Sequence, residues 1–301
     1  MIQAIIDIGS NTVRMAIYEI ERDRIEFIYK KKHMLGLASF LEKNIMSNEG
    51  VDRLCEVLEE YKTFLKLFSI ENVIAFATAA LRNCSNSIKA VEEIKKRTKI
   101  NVIILSGEKE AEYDFVGATR NINNDRGLIV DIGGGSTELV YYSDGAIKNK
   151  TSLNIGSLGL KKEYCRSVLP KADEVKKMYE KAEKIVEKAA DFNEVKSEAI
   201  CGIGGTFKGM LALYNELYDM DKSNKQIDGS KIKEMIVRFG SHGRLNQGDS
   251  IVLMKSVPER INTIVSGMII ADVIIRRFEG GNIIYSDSGV REGYIYSEIM
   301  K

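Results

Sequence analysis

The residues best suited to chemistry stand in two nearly identical phrases. Ala4-Ile5-Ile6-Asp7-Ile8-Gly9-Ser10-Asn11-Thr12 comes first, and Leu128-Ile129-Val130-Asp131-Ile132-Gly133-Gly134-Gly135-Ser136-Thr137 follows. Each is an apolar run ending in Asp-Ile-Gly that continues through small polar residues into a second apolar run. The pattern predicts a buried strand, a tight Gly-rich hairpin with outward-facing N–H groups, and a return strand. Glycine lets a backbone approach closely and adopt φ > 0, so such a turn can bind anionic oxygens. The Asp that ends each strand adds a carboxylate, the natural partner of a hard divalent cation. Two copies predict two related half-domains whose phosphate-binding hairpins face each other across a cleft.

Asp131-Ile-Gly-Gly-Gly-Ser-Thr-Glu138 is the most specific of these signals. Three consecutive glycines between strands are costly for folding, so the bare backbone must be needed. The functional reading is a phosphate cradle with Asp131 and Glu138 serving a metal or a water; the plain alternative is an ordinary glycine-rich hairpin. Gly202-Ile203-Gly204-Gly205-Thr206 places glycines between a strand and a helix, an arrangement that can hold a phosphate or ribose at a helix N-terminus, or simply permit close packing. Ser106-Gly107-Glu108-Lys109-Glu110-Ala111-Glu112 opens a helix. Its acidic residues either complement the helix dipole or supply one carboxylate as a general base. Arg14, Arg82, Arg260 and Arg291 stand beside small residues; each suits bidentate phosphate contact or a surface ion pair. His33 and His242 belong to no motif and read as structural.

The elements that must position these groups follow from periodicity. Runs at about 2–8, 13–20 and 25–32 predict an antiparallel meander. Val51, Leu54, Val57, Leu58, Tyr61, Phe64, Leu65 and Phe68 recur at helical spacing and predict a helix over 50–68. Strands at 72–77 and 101–105 flank a helix at about 87–98. The second half repeats the programme, with strands at about 127–132, 137–142 and 146–153 and helices near 157–166 and 171–191. A strand at 197–201 leads into a helix; helices near 230–239 and 259–278, a strand at 282–286 and a terminal helix from about 289 follow. Alternating strands and helices predict layered α/β sheets. Pro170 and Pro258 read as helix starts, and Asn121–Arg126 as the junction between halves.

Composition narrows the function classes. The chain has 301 residues, 44% of them hydrophobic, which favours two domains. Lys and Arg number 44 against 43 Asp and Glu, so no global field steers the protein to nucleic acid or a membrane. Cys55, Cys84, Cys165 and Cys201 are scattered, which argues against zinc or a disulfide framework and fits a reducing cytoplasm. No leader or membrane-length apolar run is present.

Read in order, Asp7-Ile-Gly-Ser-Asn-Thr, Ala77-Thr-Ala-Ala-Leu-Arg82, Ser106-Gly-Glu-Lys-Glu110-Ala, Asp131 to Glu138, Gly202 to Thr206 and Ser288-Gly-Val-Arg-Glu-Gly293 resemble the exopolyphosphatase / guanosine pentaphosphate phosphohydrolase family, in its short two-domain form. The resemblance covers essentially the whole chain. It implies two duplicated ribonuclease-H-like domains of the actin, sugar kinase and acetate kinase superfamily around a cleft. We place them at 1–122 and 123–301, with the terminal helix at about 289–301 packing back on the first. It further implies Mg²⁺-dependent hydrolysis of terminal phosphoanhydrides, with Mn²⁺ as the alternative ion, acting on inorganic polyphosphate or guanosine pentaphosphate and tetraphosphate. Glu110 matches the water-activating base, with Asp131 and Glu138 as further catalytic carboxylates; Asp7, Asp131 and Glu138 match the metal-handling set. Ser10, Asn11, Thr12, Gly133, Gly134, Gly135 and Ser136 would hold phosphate oxygens, and Arg82 would lie along the polyphosphate. Gly204, Gly205, Thr206, Arg260 and Arg291 complete the expected substrate contacts. Lys109 departs from the family's acidic preference, and Thr12 replaces its usual Ser. A homodimer is the candidate assembly, without nucleic acid or membrane partners. Two rival readings are an ATP-dependent small-molecule kinase of the same superfamily and a non-catalytic regulator that binds guanosine tetraphosphate or pentaphosphate.

Overall fold

The computed structural model describes residues 1–22, 24–120, 124–197, 199–240 and 244–300. The chain divides into two compact units, Met1–Lys109 with Glu298–Lys301, and Glu110–Ser297. The division falls inside a helix rather than at 122, the sequence-based boundary. Of the predicted junction, Asn121, Ile122 and Asn123 lie outside the described residues, as does His242.

The first unit opens with β1 (Ile2–Ile8), β2 (Val13–Ile20) and β3 (Ile25–His33). A two-residue pair, β4 (Leu41–Glu42) and β5 (Ile45–Met46), precedes α1 (Asn48–Leu67). Then come β6 (Val73–Ala77), α2 (Ala79–Arg82), α3 (Ser87–Thr98), β7 (Val102–Ile104) and α4 (Gly107–Thr119). The sheet order is β3-β2-β1-β6-β7, with β1, β6 and β7 parallel and the first three strands antiparallel. Ser47 caps α1 by accepting from the Gly50 N–H at 3.1 Å. Val51, Leu54, Leu58, Tyr61 and Leu65 then bury against Ile6, Ile8, Met15 and Ile17. Phe68, expected on that stripe, follows the last helical residue and is 58% exposed. His33 lies beside Glu60 and the Tyr61 ring, a structural setting.

The second unit runs β8 (Arg126–Ile132), β9 (Thr137–Ser143), β10 (Ala146–Leu153), α5 (Ser157–Tyr164) and α6 (Ala172–Val186). It continues with β11 (Ala199–Ile203), α7 (Gly204–Leu217), β12 (Gln226–Asp228), α8 (Ile232–Gly240), α9 (Gln247–Ser256), α10 (Ile264–Phe278), β13 (Asn282–Tyr285) and α11 (Val290–Tyr294). The sheet order is β10-β9-β8-β11-β13-β12, with β8, β11 and β13 parallel. Leaving aside β12 at the edge, order and strand directions repeat those of the first unit. The duplicated ribonuclease-H-like α/β fold is therefore present twice.

Some local expectations were wrong. The helix read over 259–278 begins only at Ile264 as α10, and Pro258 stands in the turn that precedes it rather than at a helix start. Helix α9 was not expected, because Ile251, Val252, Leu253 and Met254 stand in one consecutive run rather than at helical spacing, whereas α10 is buried nearly all round from Ile264 to Phe278. The terminal helix α11 belongs to the second unit; only residues from Glu298 group with the first.

Strand alternation gives the second sheet two faces. Leu128, Val130 and Ile132 pack into the large core with Met178, Phe207 and Met268. Ile129, Val140, Cys201 and Ile203 pack on the other face, with Ala111 and Ala118 of α4. Asp131 and Glu138, two residues from Ile129 and Val140, share the α4 face.

Candidate active site

In the second unit, Asp131 and Glu138 are direct partners across β8 and β9. Glu138 is 2% exposed. Ser152 of β10 stands on its other flank and donates its hydroxyl to Glu138 Oε1 at 2.7 Å.

The intervening turn is fixed to the start of α5. The Gly133 carbonyl accepts from Ser157 N at 2.9 Å and Ser157 Oγ at 3.1 Å, and the Gly134 carbonyl accepts from Leu158 and Gly159 N–H at 3.0 Å each. In a trans peptide the C=O and the following N–H point in opposite directions. Turning those two carbonyls toward α5 therefore aims the Gly134 and Gly135 N–H groups away from it, as two successive amides. Gly133 N closes the turn on Ser136 O at 2.9 Å, and the buried Thr137 hydroxyl donates to Ile155 O. Among the described residues, the left-handed glycines are Gly36, Gly145 and Gly204. Those of the triple-glycine turn are not among them, so positive φ is not why the turn needs glycine. Close approach is one reason, at the neighbouring residue: a β-carbon on Gly156 would overlap the Gly134–Gly135 peptide.

Gly204 and Gly205 begin α7 without a side-chain cap. Gly204 has φ +76°, and a β-carbon there would overlap the Asp131 carboxylate; one on Gly205 would overlap the Arg260 guanidinium. The two glycines thus let a carboxylate and a guanidinium lie directly on the N-terminus of α7. Thr206 is turned inward, its hydroxyl donating to Ile132 O at 2.6 Å, so it ties β8 to α7 rather than presenting a free hydroxyl. The placement of Arg260 in the turn between α9 and α10 was legible only as a lone arginine, since its glycine partner is 55 residues away in sequence.

Helix α4 separates the three glutamates of its first turns. Glu108 is exposed, Glu112 pairs with Lys150 of β10 at 2.5 Å, and Glu110 is 7% exposed. Lys150 is thus a strut between β10 and α4. One turn later Asp114 lies against Gly289, where the loop before α11 approaches α4 so closely that a β-carbon on Gly117 would overlap the Gly289 carbonyl. Arg291 of α11 is largely buried, with Glu292 3.8 Å away. Burial, then Asp114, pushes the Cys201 thiol up to about 12, which makes it an inert core group.

In the first unit, Asp7 occupies the position equivalent to Asp131. Its cross-strand partner is Arg14, whose Nη1 donates to Asp7 Oδ2 at 3.2 Å. The metal role implied for Asp7 therefore competes with a guanidinium already in place. Gly9 N closes this turn on Thr12 O at 3.0 Å. The Ser10 and Asn11 carbonyls accept from Ala38 and Gly36 N–H, which aims the Asn11 and Thr12 amides the other way. Ser10 and Thr12 are buried, and the Thr12 hydroxyl points to Met34 Sδ. Arg82 ends α2 and donates to Leu105 O at 3.2 Å. Among the described residues, no three His, Cys, Asp or Glu side chains gather into a ready-made metal site.

Two sheets of one topology, each with an aspartate and a small-residue turn at the end of its first strand, define a duplicated α/β protein. A sequence model of the Ppx/GppA phosphatase family matches residues 16–301, and the chain belongs to that family. It is 30% identical over 305 residues to the bifunctional 3-dehydroquinate synthase/phosphatase of Fusobacterium nucleatum, covering 95% of this chain and 45% of the relative. It is 24% identical to a putative exopolyphosphatase of Haemophilus influenzae, covering 98% and 90%. A guanosine-5'-triphosphate,3'-diphosphate pyrophosphatase of Aeromonas hydrophila is 26% identical over 97% of this chain and 58% of its own. The chain thus spans about half the length of the first and last of these relatives. Among solved structures, the Aquifex aeolicus PPX-GPPA enzyme superposes with a TM-score of 0.76 at 28% identity over 99% of both chains. An exopolyphosphatase from Cytophaga hutchinsonii, at 23% identity over 99% and 97%, has a TM-score of 0.84 and shares the fold.

Proposed function

We propose that this chain is a cytoplasmic phosphohydrolase that releases orthophosphate from the end of inorganic polyphosphate, or converts guanosine pentaphosphate to tetraphosphate. One observation carries the reading. The turn that aims the Gly134 and Gly135 amides outward is flanked by the cross-strand pair of Asp131 and the buried Glu138, with a guanidinium nearby on the N-terminus of α7. An anion-binding turn beside carboxylates is repulsive to phosphate unless a cation joins them. The donor chemistry fits Mg²⁺ or Mn²⁺, which are held by one or two carboxylates together with substrate oxygens and water. Asp131 and Glu138 would hold the ion, and when bound it would neutralise charge on the phosphate being transferred.

The remaining work falls to the chain's own groups. The Gly134 and Gly135 amides orient phosphate oxygens, and Arg260 offsets charge at the α7 N-terminus. Glu110, the buried one of the three α4 glutamates, accepts the proton of the attacking water. Positioning and charge neutralisation supply most of the acceleration in such a transfer.

The test is orthophosphate release from long polyphosphate, short polyphosphate and guanosine pentaphosphate, side by side with Mg²⁺ and with Mn²⁺. Glu110→Gln should keep the fold and substrate binding while kcat falls at least about a hundredfold; an unimpaired variant removes Glu110 from the mechanism. Formation of ADP with a phosphorylated acceptor would instead identify a kinase. Tight guanosine tetraphosphate binding without turnover of any substrate would identify a regulator.

A further inference from the structure

We propose that Ser152 is a positioning residue that fixes the Glu138 carboxylate for cation binding, and that a β-bulge in the edge strand exists to put it there. The proposal rests on the reading of Glu138 given above. Ser152 is the direct cross-strand neighbour of Glu138 and donates to its Oε1 at 2.7 Å. With Glu138 2% exposed, ordered protein donors must orient that carboxylate in place of bulk water.

The register shows how this serine reaches the position. Along β9 and β10 the pairing runs Ala146–Ser143 and Ile147–Tyr142, then resumes at Asn149–Tyr141, so Lys148 is an extra residue. Continued without the extra residue, the first register brings Thr151 opposite Glu138. The bulge moves the strand on by one and substitutes Ser152. A one-residue slip also exchanges the two faces of a strand. Leu153 therefore enters the large core, while Lys150 and Ser152 turn to the α4 face. Bulges re-aim side chains in this way beside functional sites. The result is one edge strand with two tethers two residues apart: Lys150 to Glu112 of α4, and Ser152 to the carboxylate of β9.

Groups that orient a metal-binding carboxylate change metal affinity by about 10- to 100-fold when removed. The experiment measures Mn²⁺ binding to the full chain by electron paramagnetic resonance, without substrate, for the native protein, Ser152→Ala, Ser152→Thr and Glu138→Gln. Thermal melts run in parallel. Ser152→Ala should bind Mn²⁺ at least about tenfold more weakly, while still melting in one cooperative transition, lowered by the lost donor to a buried carboxylate. Ser152→Thr, which keeps the hydroxyl and suits a strand, should restore most of the affinity. Native affinity in Ser152→Ala, or equal weakness in the Thr variant, overturns the positioning role. If Glu138→Gln loses affinity while Ser152→Ala does not, only this proposal falls. If Glu138→Gln also binds as the native chain does, the reading of Glu138 falls and takes the proposal with it.

Discussion

Gly204 offers the sharpest test of how the second unit holds its carboxylate. Its φ of +76° lies in the left-handed region, and a β-carbon there would stand 3.0 Å from Asp131 Cγ and 3.1 Å from Oδ2 while overlapping Oδ1. Two costs follow for Gly204→Ala. The left-handed backbone costs a residue with a β-carbon about 1–2 kcal/mol. Carbon contacts are optimal near 3.5–4.0 Å, so the Asp131 carboxylate must withdraw by about 1 Å or the α7 N-terminus must tilt. The first cost is modest: at about 2–4 °C per kcal/mol for a unit of this size, the melt should drop by roughly 2–8 °C. The second falls on chemistry, where a misplacement of about 1 Å can cost about a hundredfold in rate. Phosphate release and differential scanning calorimetry on the same preparation separate the two. A variant that melts a few degrees lower, with kcat down about a hundredfold, is the expected result. Full activity at a lowered melt would refute the placement of Asp131 in the working site. An unaltered melt would refute the backbone argument.

Three further outcomes follow from the second unit. Tyr179 donates to the buried Asp272 carboxylate at 3.0 Å, with Arg276 on the same oxygen, so Tyr179→Phe should lower unfolding free energy by about 1.5–3 kcal/mol in urea titration at constant m. A β-carbon on Gly293 would overlap the Tyr113 carbonyl. Because that neighbour is backbone, Gly293→Ala should displace α11 from α4 and lower the melt more than Gly204→Ala does, as calorimetry would show. Burial raises the Cys201 thiol from 9.0 to about 12. The unfolded thiol therefore loses its proton first as pH rises, and stability present below pH 9 is lost progressively up to about pH 12. Urea midpoints between pH 8 and pH 10.5 should fall less steeply in Cys201→Ala than in the native chain, and the native thiol should resist iodoacetamide at pH 8.

Much of this was legible in the residue order. The twin phrases gave the duplication because a buried strand ending in Asp-Ile-Gly is a rare string, and both meanders and α1 followed from periodicity within a residue or two. Three kinds of information were not available. The division within α4 depends on which contacts each turn makes, not on composition. Helix α9 was hidden because its apolar residues gather on no one side, which erases the amphipathic signal. The sorting of Glu108, Glu110 and Glu112 needed Lys150, whose facing is set by an unpredicted bulge at Lys148.

The two hairpins differ at a position that was visible but unread. Each return strand brings the residue seven places after its aspartate directly opposite it: Arg14 faces Asp7, and Glu138 faces Asp131. The first copy is a carboxylate neutralised by its own guanidinium. The second sets two carboxylates across one strand pair, an arrangement that disfavours the ionised state of both unless positive charge or donors join them. Ser152 supplies one donor, and Gly204 leaves room for Asp131 at the positive end of α7. Under the proposed function, a bound cation would add to that compensation. On that reading the two turns share a backbone but not a charge environment, and one residue type at the seventh position, Arg14 or Glu138, makes the difference.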